Sequence, residues 1–306
     1  MRIIKNFIPK SALVVISGLM IFMLSLPAFA QEDNTAKEKF NLGVEAASKG
    51  DKAGAQKAYE EAIAADPSYP DPYLNLGAIY FEGKDYTNAV KVLKKYTELK
   101  PDSYDGFLNL GLACVEAGDL VNGAAAFDGG LAVKPKDVNL LKGYARLYVK
   151  AEKWDKAIDR LNKYIPADPT DAKAMNDLAR AYQESGKINE AITTYDKSMK
   201  VDPKYYMTYF QLGSLYLDQK DYENAAEYFE KSSALNSKHW QSFYNLGISR
   251  QALETQEDYV EAYQAYTKFL KLTANAKSKS VKNMRSQAQQ ITTRLKDYFD
   301  QEGIEY

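Results

Sequence analysis

Polar and apolar positions along this chain recur with a period of 34 residues. Residues 70–103 show the pattern most clearly. Tyr73, Leu76, Gly77 and Tyr80 fall on one face of a helix, and after a polar break Ala89, Leu93 and Tyr96 do so again. Leu76-Gly77 returns as Leu42-Gly43, Leu110-Gly111, Leu212-Gly213 and Leu246-Gly247, with Tyr144-Ala145 and Leu178-Ala179 in the two slots between. Ala55, Ala89, Ala157, Ala191 and Ala225 keep the same step, as do Pro67, Pro101, Pro135, Pro169 and Pro203. Each unit predicts a helix A, a short turn and a helix B. The small residues let the two helices approach, and the proline ends the second.

Numbered so that the glycine of Leu-Gly is position 8, the unit reads aromatic at 4, Leu-Gly at 7 and 8, Tyr at 11, Ala at 20 and Pro at 32. This resembles the tetratricopeptide repeat (TPR). The resemblance implies an all-α solenoid wound into a right-handed superhelix. Repeats are expected at 36–69, 70–103, 104–137, 138–171, 172–205, 206–239 and 240–272, as one elongated domain. In the seventh, Tyr259, Ala262, Tyr266 and Phe269 arrive three residues late, which predicts an insertion in the turn at Thr255–Asp258. Turns are expected at Lys49-Gly50-Asp51, Gly83-Lys84-Asp85, Ala117-Gly118-Asp119 and Ser185-Gly186-Lys187.

The two ends of the chain break the pattern. Arg2, Lys5 and Lys10 precede an uncharged, mostly apolar run from Ser11 to Leu26, and Ala28-Phe29-Ala30 fits a cleavage site. Residues 1–30 therefore read as a secretory signal peptide, and 31–35 as a polar leader. At the other end, 273–280 reads as a polar loop. Val281, Met284, Ala288, Ile291, Leu295 and Tyr298 mark an amphipathic helix within 281–301 that caps the array. Its polar face reads as mixed in charge, which argues against a membrane-surface helix.

Composition narrows the function. The chain has 40 Lys+Arg against 41 Asp+Glu, and loss of the first 30 residues removes three basic groups and no acidic one. Such a mildly acidic, charge-mixed chain is not built to coat nucleic acid. Cys114 is the only cysteine and His239 the only histidine, almost four repeats apart. No internal disulfide, thiol–imidazole pair, phosphate loop or metal-ligand motif is available. The expectation is a non-catalytic protein without a cofactor or metal.

Binding residues are sought on the face of helix A opposite its buried stripe, which in the TPR family lines a concave groove. Position 6 reads Asn41, Asn75, Asn109, Gly143, Asp177, Gln211 and Asn245. A row of amides resembles the asparagine ladder by which some TPR arrays hold a peptide backbone, since an amide both donates and accepts. Beside it lie Leu108, Leu112, Phe210 and Tyr244, and between these a basic stretch of Lys142, Arg146, Lys150 and Arg180, with Asp177 nearby. The carboxylate clamp of TPR co-chaperones is not reproduced. Lys142 matches its first lysine, but Arg146, Asp177, Met207 and Gln211 depart from it.

These features together imply an exported, periplasmic or extracellular scaffold. It would bind protein or extended, acidic peptide segments during assembly of an envelope complex, with no membrane span once the signal is removed. An alternative is a polysaccharide-export scaffold using outward aromatics such as Tyr69, Tyr104 and Tyr205. Amino-terminal sequencing of the exported protein should begin at Gln31; a full-length, membrane-embedded chain would refute the export reading.

Overall fold

A small residue at position 8 brings two helices together only if something large fills the space opposite, and position 24 of the same repeat supplies it. The computed structural model describes the backbone of residues 28–306 and side chains from residue 35. Among the described residues there are fifteen helices and no strand. Helices A and B alternate as α1 (Ala28–Ser48), α2 (Lys52–Ala65), α3 (Asp71–Glu82), α4 (Tyr86–Leu99), α5 (Tyr104–Ala117), α6 (Leu120–Val133), α7 (Val138–Lys150) and α8 (Trp154–Tyr164). They continue as α9 (Ala172–Glu184), α10 (Ile188–Val201), α11 (Tyr206–Asp218), α12 (Tyr222–Leu235), α13 (Trp240–Gln251) and α14 (Gln256–Leu272). A last helix, α15 (Lys279–Glu302), stands outside the repeats. The chain divides into two compact units between Arg160 and Leu161, inside α8.

In the first unit the position 8 contact is close throughout, and at Phe127, which is fully buried, a second A helix joins it. A Cβ added to Gly111 on α5 would lie 2.6 Å from the Phe127 ring, and one on Gly143 of α7 would meet the same ring at 2.6 Å. Phe127 stacks in turn on Tyr144, with centroids 5.4 Å apart. One ring of helix B is thus lodged between the backbones of two successive A helices. Position 7 packs backwards. Leu76 lies with Ala55 and Tyr59 of the preceding helix B, and Leu110 with Ala89 and Leu93. Leu42 has no described helix before α1 and is 53% exposed, whereas Leu76 is 2% exposed.

The second unit repeats the scheme. Leu212 packs with Ala191 and Tyr195, and Gly213 and Gly247 face the rings of Phe229 and Tyr266. It adds a polar joint that the sequence pattern does not announce. Ser198 at position 27 donates to the Ala172 carbonyl (2.8 Å) and shares a hydrogen bond with Thr208 of the next repeat (2.8 Å). Ser232 repeats this with the Tyr206 carbonyl and Ser242. All four hydroxyls are buried and each has its partner, as burial requires.

The turns follow one rule. Position 15 has positive φ in every repeat, supplied by Gly50, Gly118 and Gly186 but also by Lys84, Glu152, Lys220 and Glu254. Gly83 is therefore not the left-handed residue of its turn, because it sits one place early with φ −72°. The next residue but one starts helix B beneath a side-chain cap: Asp51, Asp85, Asp119 and Asp221 each accept an N–H from the first turn.

Three expectations change. Residues 31–35 are not a separate leader, because α1 already runs from Ala28. Residues 1–27 lie outside the described residues. In the seventh repeat Thr255 caps α14 at the usual position and the turn is unchanged; the three extra residues lengthen α14 to 17 residues against 14 in α12. An added turn inside a helix keeps its ladder intact, whereas a longer loop would expose backbone. Finally, α15 packs on α14 through Ala288, Leu295 and Phe299. Tyr298 lies at the rim, 37% exposed, and Phe299 is the buried ring.

Gly111→Leu should cost about 1–3 kcal/mol by overpacking against the trapped Phe127 ring. Because repeat stability is a sum of local terms, hydrogen exchange should accelerate first in α5, α6 and α7. Uniform acceleration along the chain would contradict this packing scheme.

Candidate polypeptide-binding residues

The candidate residues divide between the units. Asn41, Asn75, Asn109, Leu108, Leu112, Lys142 and Arg146 belong to the first; Arg180, Phe210, Gln211, Tyr244 and Asn245 belong to the second.

In the first unit the position 6 amides differ from one another. Asn41 is exposed on α1. Asn75 is half-buried, and its Nδ2 donates to the Tyr59 hydroxyl at 3.3 Å. Asn109 is only 5% exposed, and its Oδ1 is buried with no donor in reach. A buried acceptor without a partner is rare and destabilising. Leu108 and Leu112 are half-buried on the same helix, and Leu112 lies beside Gly143.

One helix later, Lys142, Arg146 and Lys150 form an exposed i, i+4, i+8 row on α7. Arg146 pairs with Glu116 at the end of α5, and Lys150 reaches the same carboxylate at 3.0 Å. Glu116 is thus an acid that relieves repulsion between Arg146 and Lys150. One carboxylate serves two cations, so this pair keeps a positive surplus.

In the second unit two candidates pack against other rings. Phe210 packs on Phe229 and His239, at 5.7 and 4.7 Å between ring centroids. Tyr244 packs on Tyr266 and Phe269, and its hydroxyl donates to Gln287 of α15 at 3.2 Å. Position 5 packs against helix B here, and both aromatics are half-buried, so part of each ring is taken up by contacts within the chain. Arg180, Gln211 and Asn245 remain half-buried on α9, α11 and α13.

A residue outside the position 6 row joins the set. Asn176, at position 5 of the fifth repeat, is 4% exposed with a buried, unpartnered Oδ1. Its signal was present in the sequence. It is the one amide in a column otherwise occupied by Phe40, Leu74, Leu108, Lys142, Phe210 and Tyr244.

The outward tyrosines are engaged within the chain. Tyr69 sets its ring edge-on to Phe40 at 5.5 Å. Tyr104 donates to Asp137 at 3.0 Å beneath the Lys134 ammonium, and Tyr205 packs on Tyr206. Cys114 is buried, and burial pushes its thiol pKa up to about 12, so it is not a nucleophile at neutral pH. His239 shares a hydrogen bond with Ser242 at 2.8 Å through Nδ1, and burial lowers its pKa. Among the described residues, no three His, Cys, Asp or Glu side chains are grouped to hold a metal ion.

Tetratricopeptide repeat profiles match residues 40–104 and 210–277, 115–175, and 170–238. No curated protein matches the chain. Among solved structures, a MamA crystal structure is 25% identical with a TM-score of 0.52, covering 56% of this chain and 94% of that one. A tetratricopeptide repeat protein from Parabacteroides merdae ATCC 43184 is 16% identical with a TM-score of 0.58, covering 84% and 99%. YrrB, described as a TPR protein with an unusual peptide-binding site, is 18% identical with a TM-score of 0.51, covering 62% and 98%. With its 34-residue pattern, its helix pairs and these matches in agreement, the chain belongs to the tetratricopeptide repeat family.

Proposed function

We propose that this protein is a non-catalytic scaffold that holds an extended polypeptide segment on the A-helix face of its first unit. Asn109 carries the reading. Its buried Oδ1 is left without a donor, and once the amide turns outward a backbone N–H of a bound segment would satisfy it whatever side chains that segment bears. Leu108 and Leu112 supply apolar contact beside it. Arg146 and Lys150, which share the single carboxylate of Glu116, favour a segment with an acidic residue or a terminal carboxylate. Further support for a polypeptide ligand comes from YrrB, whose description names a peptide-binding site. The amino-terminal pattern of Arg2, Lys5, Lys10 and Ala28-Phe29-Ala30 supports export, and with it a role in assembling an envelope complex.

Replacing a buried, unpaired acceptor by an apolar group of similar size removes a desolvation penalty of about 1–3 kcal/mol. Asn109→Leu should therefore raise the melting temperature while weakening peptide binding, as read by fluorescence anisotropy with labelled Leu-Asp and Leu-Lys repeat peptides. Arg146→Ala should reduce the preference for the acidic peptide without lowering the melting temperature, because exposed ion pairs contribute only about 0–1 kcal/mol. Unchanged binding in Asn109→Leu, or equal binding of both peptides by the intact protein, would overturn the proposal.

A further inference from the structure

The charge of this chain is mixed almost everywhere except near its carboxyl end. Between Ala262 and Lys296 there are eight lysines and arginines and no Asp or Glu. The acids that make α15 read as mixed, Asp297, Asp300 and Glu302, all lie in its final turns. Two of the eight cations are used internally. Arg285 donates to the Leu270 carbonyl and to Thr273, and Lys268 stands over the Phe243 ring at 5.9 Å. The other six, Lys271, Lys277, Lys279, Lys282, Arg294 and Lys296, are exposed, and none meets a carboxylate among the described residues. Lysines elsewhere do find acids, as Lys39 finds Glu61 and Lys52 finds Glu82.

The placement of these groups sets what they can bind. The apolar side of α15 is spent on α14, through Ala288, Leu295 and Phe299. Its outward side carries Asn283, Ser286, Gln290 and Thr293, all exposed, between the basic groups. Lys279 and Lys296 are about 25 Å apart along the helix at its usual rise. The result is a long basic strip lined with hydrogen-bond donors.

We propose that this strip, the outer side of α15 with the preceding 271–278 segment, docks the protein onto an anionic phospholipid surface. Clusters of four to eight lysines and arginines are attracted to such headgroup layers. Adsorption would be electrostatic and without insertion, because α15 has no apolar face to spare. A protein partner fits less well. Stable protein interfaces need buried aromatic or aliphatic anchors, and no large hydrophobic side chain is exposed between 273 and 297. Nucleic acid also fits less well. Five of the six cations are lysines, without the planar fork that arginine offers to phosphates, and between Lys277 and Lys296 there is no aromatic ring on which bases could stack. The strip lies in the second unit, apart from Asn109, so the two proposals stand or fall separately.

Vesicle co-sedimentation of the whole protein tests this, comparing pure phosphatidylcholine with an equimolar mixture of phosphatidylcholine and phosphatidylglycerol. Any adsorption common to both vesicle types cancels in the comparison. Binding to the anionic vesicles should exceed that to neutral ones at least about tenfold and should be lost in high salt, where screening shortens to about 3 Å. The combined variant Lys277→Gln, Lys279→Gln, Lys282→Gln, Arg294→Gln and Lys296→Gln should fall to the neutral level with an unchanged melting temperature. If it fails to fold, the pair Lys271→Gln and Lys277→Gln, outside α15, should show a smaller loss in the same direction. Equal binding to both vesicles, or anionic binding that survives the substitutions, would overturn the proposal. So would tighter binding of duplex DNA or polyglutamate than of anionic vesicles, if the same substitutions abolish it.

Discussion

Everything in each repeat depends on one contact, a small residue at position 8 of helix A against a large one at position 24 of helix B. Gly111 against Phe127 and Gly247 against Tyr266 are the same device in the two units. The contact sets how closely the two helices lie. That in turn aligns position 7 with the preceding helix B, and leaves Asn41, Asn75, Leu112 and Arg146 at least partly open on the other side of helix A. Interiors are close-packed, so a ring lodged against backbone leaves little room to slide. The candidate site is therefore held by packing that lies behind it.

The small half of this device was plain in the sequence, because Leu-Gly or its alanine counterpart recurs every 34 residues, whereas the large half is an aromatic in some units and Leu93 or Leu161 in others. It showed the helices less completely where a rule depends on conformation rather than residue type. Position 15 is left-handed throughout, yet four of the seven residues there are Lys or Glu, so glycine alone pointed to the wrong place at Gly83. The late phase of the seventh repeat was visible. Whether three residues go into a turn or a helix depends on capping, and Thr255 decided it by accepting the Asp258 N–H.

The site was legible as a row but not as individual states. Sequence placed Asn75 and Asn109 as equivalents. Only the structure distinguishes an amide held by Tyr59 from one whose oxygen is buried and unpartnered. Burial depends on neighbours in other repeats, which a periodic pattern treats as identical. The same limit applied to Phe210 and Tyr244, whose aromatic character fits a groove or a core equally well. Charge was misread for a different reason: tallied over the whole of α15 it is mixed, but its acids are confined to one end.

The account's central claim is that Asn109 is kept unpaired for a ligand at the expense of stability, whereas Asn75 belongs to the scaffold. The side-chain amide resonances of these two residues, followed by ¹H–¹⁵N correlation NMR during titration with the acidic peptide, test this directly. Asn109 should shift progressively to saturation while Asn75, held by Tyr59, stays in place. A titration that moves Asn75 and leaves Asn109 unchanged, or moves neither while the peptide binds, would contradict it.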